Sequence, residues 1–156
     1  MDLGIHVINA LPPLADQFTG SDDTDIIDAG AGAGVLFIVQ TGAVSGAAAS
    51  TVTVEACSTI TATAVATVPF IYRVCLATDV WGDWTAATTA GFSMVHTASA
   101  ANAMWQIYVD SAEIAEQGYR YVRLSTDETA DFTVTAGILA LIINPRYAVQ
   151  PSSALD

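Results

Sequence analysis

A chain of 156 residues, 53% hydrophobic and 13% charged, suits one domain burying roughly 70% of its unfolded surface, which excludes global disorder. Sixteen acidic residues stand against four arginines and no lysine, for a formal net charge of −12. Nucleic acid and anionic membrane are both bound through clustered Lys and Arg, so neither is an expected partner, and most of the acid reads as solvated surface.

In chain order, Met1 to Asn9 carry neither the basic start nor the apolar run of a secretory leader, which predicts cytosolic synthesis without export. "SDDTDIID" then gathers Asp22, Asp23, Asp25 and Asp28. Their oxygens suit a calcium ion, but the segment lacks the glycine and bidentate glutamate of an EF-hand loop, and a solvated loop is the simpler expectation. Gly30, Gly32 and Gly34 follow, spaced G-x-G-x-G ahead of Val35-Leu36-Phe37-Ile38-Val39. A dinucleotide site needs a helix N-terminus after such glycines, and a β-branched run supplies none. No charge occurs from Ala29 to Val54, yet the strongly apolar part is five residues, bounded by Gln40, Thr41 and glycines. That is a strand, not a bilayer span. The segment therefore reads as a strand end at Asp25–Asp28, a flexible glycine connection, a core strand over Val35–Gln40 buried on both faces, and a turn from Gly42 to Gly46.

Beyond it, apolar residues alternate. "STVTVEAC" sets Val52, Val54 and Ala56 opposite Thr53, Glu55 and Cys57, and "VPFIYRVC" sets Val68, Phe70, Tyr72 and Val74 opposite Ile71 and Arg73. "MWQIYVD" and "YVRLS" repeat the pattern, and period two with β-branched and aromatic residues predicts half-buried strands. "STITATAVAT", residues 58 to 67, is expected to be extended because Thr suits a pleated surface. One helix is predicted, in "DSAEIAEQG", with Ser111 as its cap and Gly118 as its end. Strands of this number without intervening helices argue for an antiparallel β-sandwich or barrel. The domain spans residues 1–147, and residues 148–156 form a short C-terminal arm.

Chemistry is harder to find. Cys57 and Cys75 form neither a disulfide scaffold nor a metal-ligand spacing and read as reduced structural thiols. His6 and His96 lie in no ligand or nucleophile motif, so no catalytic residue, cofactor or metal is expected. Trp81 and Trp84 flank Gly82-Asp83, as sugar-binding aromatics sometimes do, or else pack as turn residues on a sandwich edge. In "FTVTAGILALIINP" both faces turn apolar from Ile138 to Ile143. Such a strand is either covered on both sides or presents Leu139, Leu141 and Ile143 to another chain.

Four stretches in order, "TVTVEACSTITATAVATVPFIYRVCLATDVWGDWTAAT", "AMWQIYVDSAEI", "GYRYVRLS" and "LALIINPRYAVQPSSALD", resemble the head decoration (cement) proteins encoded near the major capsid protein of tailed bacteriophages. The resemblance runs from about Gln40 to the C-terminus, and its most specific part is the apolar strand followed by Pro145-Arg146-Tyr147. It implies a jelly-roll-like sandwich without catalytic residues. Such a protein is made in the bacterial cytoplasm and binds the outer surface of the assembled head as a homo-oligomer. Its partner is the major capsid protein. The contacts this suggests are Pro145, Arg146 and Tyr147, since Arg and Tyr are frequent interface anchors, together with Leu139, Leu141 and Ile143. Tyr147 folded back on its own sandwich is the competing reading. Another virion component, from the head–tail joint or the tail, is the alternative function, and a carbohydrate-binding module using the two tryptophans is a further one.

Overall fold

The computed structural model describes residues 5–76, 79–97, 101–130 and 132–145, with the backbone of residues 154–155. Alternation does what the sequence implies. In β5 (Ala48–Cys57), Val52, Val54 and Ala56 are fully buried, whereas Thr51, Thr53 and Glu55 between them are half-buried on the other side. Each strand so patterned is driven to lay one face on a core, at about 25 cal/mol per Å² of apolar surface removed from water.

Two antiparallel sheets result. The front sheet runs β1 (Ile5–Leu14), β12 (Thr133–Ile143), β4 (Gly34–Ser45), β10 (Met104–Asp110), β7 (Phe70–Cys75) and β8 (Thr85–Ala87). The back sheet runs β13 (Ala154–Leu155), β3 (Ile26–Asp28), β11 (Tyr121–Glu128), β5 and β6 (Val65–Val68); β2 (Ser21–Asp23) also pairs with β11, and β9 (Phe92–His96) with β5. The pairs nest: β1 with β12, β3 with β11, β4 with β10, β5 with β6. This is the rolled hairpin of a jelly roll, so the fold is the β-sandwich the sequence implies. Val35, Phe37 and Val39 of β4, Ile107 of β10 and Ile138 of β12 meet Val54, Val122 and Leu124 of the back sheet in one core.

Several local expectations change. The strand read across Pro69 is two strands: β6 belongs to the back sheet and β7 to the front, with exposed Pro69 between buried Val68 and Phe70. The stretch 58–64 is not extended but a loop, closed by Ser58 N–H to the Ala64 carbonyl at 3.0 Å. Within it the hydroxyls of Thr59, Thr61 and Thr63 lie 3.0–3.1 Å from one another, the local side-chain bonding by which Thr leaves a ladder. β4 runs through Gly42 to Ser45, and the turn comes at Gly46, whose φ of +107° suits only glycine.

The glycine connection, expected to be flexible, forms a hydrogen-bonded turn. Ala29–Ala31 forms a 3₁₀ turn, Ala33 N–H donates to the Ile143 carbonyl at 2.9 Å, and Ser111 Oγ donates to the carbonyls of Ala29 and Gly32 at 2.7 and 3.0 Å. A Cβ on Gly34 would stand 2.5 Å from the Tyr108 hydroxyl, so this glycine is required by a ring lying against its backbone. Ser111 is thus a brace and not a cap. The helix α1 (Ser111–Glu116) is capped by Asp110, whose Oδ1 accepts from Ala112 N–H at 2.8 Å. In the predicted arm, Ala154–Leu155 pair with Ile27 and Ile26 of β3.

Candidate functional site

The outward side chains of the front sheet form an apolar surface. On β12 they are Leu139, Leu141 and Ile143, the three contact residues expected from the sequence, with Leu139 43% exposed. The ladder places Leu141 between Val7 and Leu36, Leu139 between Asn9 and Ile38, and Ile143 between Ile5 and Gly34. Val7 is 60% exposed and Ile5 46%. On the far side Leu36 is opposite Tyr108, which is opposite Ile71. The surface thus crosses five strands, from Val7 on β1 to Ile71 on β7. β4, expected to be buried on both faces, leaves Leu36 and Ile38 only half-buried here. Such cross-strand pairs contribute a few tenths to about 1 kcal/mol each, but an apolar area left open is a mark of association.

Where Gly137 faces Gln40 the surface dips into a groove of about 350 Å³, with Ile38, Leu139 and Pro13 as walls and Gly42 in its lining. Its polar residues, Asn9, Gln40, Thr41, Asn102 and Thr135, are all neutral. Pro145 follows β12 and is half-buried; Arg146 and Tyr147, the other predicted contacts, lie outside the described residues.

Charged residues at the margin of this surface among the described residues include Asp110, engaged in capping α1, Glu113 beside Ile71 and Tyr108, and Arg73. Arg73 extends from β7 beside Gln106, to whose Oε1 its Nε donates at 2.7 Å. After β7 the chain returns over the strand end, with Trp81 bridged to Cys75 and Gly82 N–H donating to the Val74 carbonyl at 2.9 Å. That return puts the Arg73 guanidinium carbon 4.7 Å from the Trp81 ring centre and 4.6 Å from that of Trp84. The two tryptophans considered as sugar platforms are therefore a clamp on an arginine.

The back sheet's outer face is of another kind. Arg123 pairs with Asp23 at 2.5 Å and Glu55 at 2.7 Å, Arg120 pairs with Asp28, and Thr51, Thr53 and Ser125 fill the rungs between. The acidic loop is consumed in the same way, since Asp22 accepts from Phe18 N–H at 2.8 Å and from Gln17 Nε2 at 3.1 Å. Its carboxylates diverge to separate partners, and no group of three or more His, Cys, Asp or Glu among the described residues could hold a metal ion.

His96 is fully buried between the sheets, its Nε2 3.2 Å from Ser50 Oγ and its ring stacked 4.6 Å from Phe132 and 5.7 Å from Phe18. Burial pushes its pKa down to about 4, against the opposing pull of Glu128. A histidine held neutral in an aromatic box, with Nδ1 unbonded, is a core residue and not a base facing a cleft. Cys57 and Cys75 are buried and unpaired, and burial pushes the Cys57 thiol up to about 11. No helix among the described residues is long and apolar enough to cross a membrane.

The sequence matches no protein-family model and is similar to no curated protein. Among solved structures, the SPBc2 prophage-derived protein YomS is 12% identical, with a TM-score of 0.41 over 87% of this chain and 92% of that one. A family two carbohydrate esterase from Cellvibrio japonicus is 10% identical, with a TM-score of 0.21 over 90% of this chain and 34% of the esterase. Neither likeness carries a fold or a function over to this chain.

Proposed function

We propose that this chain is a virion structural protein of a tailed bacteriophage that decorates the assembled head. It docks on the major capsid protein through the outer face of its front sheet and acts as a homo-oligomer by binding, without catalysis. The observation that carries the reading is the apolar surface centred on Leu139 and Leu141, which a solvated face would not need. The ordered stretches ending in Pro145-Arg146-Tyr147 supply the phage-head context. A net charge of −12 suits the solvent side of a shell better than its DNA-filled interior. Repetition over a shell also lets modest contacts add, since one oligomer touches several capsid subunits.

The test is co-sedimentation of the purified protein with heads of its own phage, together with protein quantification of virions by mass spectrometry. Saturable binding and a copy number comparable to that of the capsid protein are expected. Absence from both heads and virions overturns the reading, and a copy number of a few per particle transfers it to the head–tail joint or the tail.

A further inference from the structure

We propose that Arg73, clamped between Trp81 and Trp84 at the margin of the apolar face, receives an aspartate or glutamate side chain from the capsid subunit on which that face docks. The inference rests on the head-docking reading and adds to it the chemistry of the partner.

The chain carries 16 acidic residues, and the other two described arginines, Arg120 and Arg123, are each paired with its own carboxylates. Among the described residues Arg73 has no such partner. It is given a neutral one, Gln106, and two indole faces. In a molecule so rich in acid, this arginine is the described cation left for an outside carboxylate.

The geometry prepares it for that role. Gln106 engages Nε and leaves the two Nη groups, whose N–H bonds form the fork that fits a carboxylate. Two indole rings centred 4.7 and 4.6 Å from the guanidinium carbon and the bond to Gln106 restrain the side chain, so less freedom remains to be lost on binding. Arg73 is half-buried beside the indoles, and Trp84 is itself 43% exposed.

Docking of the neighbouring apolar residues, Ile71 and Tyr108 nearest to it, would strip water from this edge. An arginine desolvated without an acceptor is strongly unfavourable, so a partner that covers the face must supply one. A nucleic-acid phosphate does not fit, because one cation beside an apolar surface offers none of the phosphate-tracking charge such binding needs. A second copy of this chain would offer Asp110, already engaged as a helix cap, or Glu113 beside Ile71 and Tyr108, and cross-linking from position 73 separates that source from the capsid subunit.

The sequence provides an unusual test. The chain has no lysine, so R73K introduces the only lysine ammonium. Heads of the same phage are titrated with wild type, R73Q, R73E and R73K, with circular dichroism and thermal melting as fold controls. R73E is expected to bind at least about 30-fold more weakly, R73Q less severely so, and R73K to keep part of the affinity. Carbodiimide treatment of R73K on heads should then give a zero-length cross-link from position 73 to a capsid Asp or Glu.

If wild type and folded R73E bind heads equally, the Arg73 inference is overturned while head docking stands. A cross-link from position 73 to a second copy of this chain, or none to the capsid protein, overturns it as well. Failure of wild type to bind heads at all sinks the docking reading itself, and this inference with it.

Discussion

The two outer faces of the sandwich sit on one core and share one strand geometry, yet their chemistry diverges at the centre of each sheet. At the middle of the back sheet, Glu55 on β5 is opposite Arg123 on β11 and bonded to it, with Thr and Ser around them. At the middle of the front sheet, Leu139 and Leu141 are opposite Ile38 and Leu36, with Val7 and Tyr108 on either side. Folding asks only that the inner faces be apolar, so the outer face of either sheet is free to be polar. The back face takes that freedom and the front face does not. Stability alone does not call for the apolar centre of the front face, and that is the physical basis for proposing it as the docking surface.

The largest expected break in this asymmetry comes from a charge. Leu141→Glu places a carboxylate amid apolar neighbours on the proposed docking face, and should weaken head binding at least about 30-fold while shifting the thermal midpoint by only a few degrees. Thr53→Glu, the matching change on the back face, should leave binding within about twofold. Equal effects from the two would mean that the faces do not differ in function.

The next effect lies between the faces, at His96. Its folded pKa of about 4 is below the ordinary 6.5, so the unfolded chain binds the proton more tightly. Its contribution is therefore complete above about pH 6.5 and is lost as pH falls toward 4, by roughly 3 kcal/mol in all. H96F combined with S50A, which leaves no unpaired hydroxyl, should flatten the pH dependence of denaturant unfolding over that window relative to wild type. An unchanged slope would show that the carboxylates alone set it.

The smallest effect belongs to the back face. Arg123→Ala removes the partner of Asp23 and Glu55, with the arginine side chain 20% exposed, and should cost about 1–2 kcal/mol of stability by chemical denaturation. Head binding should be unaltered, so that one face answers to folding and the other to docking.

How far these features were legible in the sequence depends on the reach of the interaction. Alternation located β5, β10 and β11, and the two-sided run of β12 pointed to Leu139, Leu141 and Ile143 on an outer face. Alternation reports which side a residue faces, however, and not which sheet it belongs to. Val68 and Phe70 stay inward across Pro69 while the strand changes partner from β5 to β10, leaving no trace in the pattern. β1 was missed because register shifts between Asn9, Leu11 and Leu14 break its period beside Pro12-Pro13. The Arg73 clamp was hidden for a related reason. Trp81 and Trp84 reach the arginine by a chain reversal, and Gln106 reaches it across a ladder, so no fixed spacing encodes the contact.

The nested pairing of the roll also sets an order of assembly. β5 and β6 are joined by a short loop and meet first at the least entropic cost, whereas β1 must wait for β12, whose partner for Ile5 is Ile143. Contacts so distant in sequence place this chain among slow folders, and during synthesis the first strand emerges long before its mate. For that interval the residues that will complete the apolar face, Ile5 and Val7, are on an unpaired strand. The apolar face is therefore among the last parts of the sandwich to form, because it is complete only when β12 has been made and β1 has paired with it.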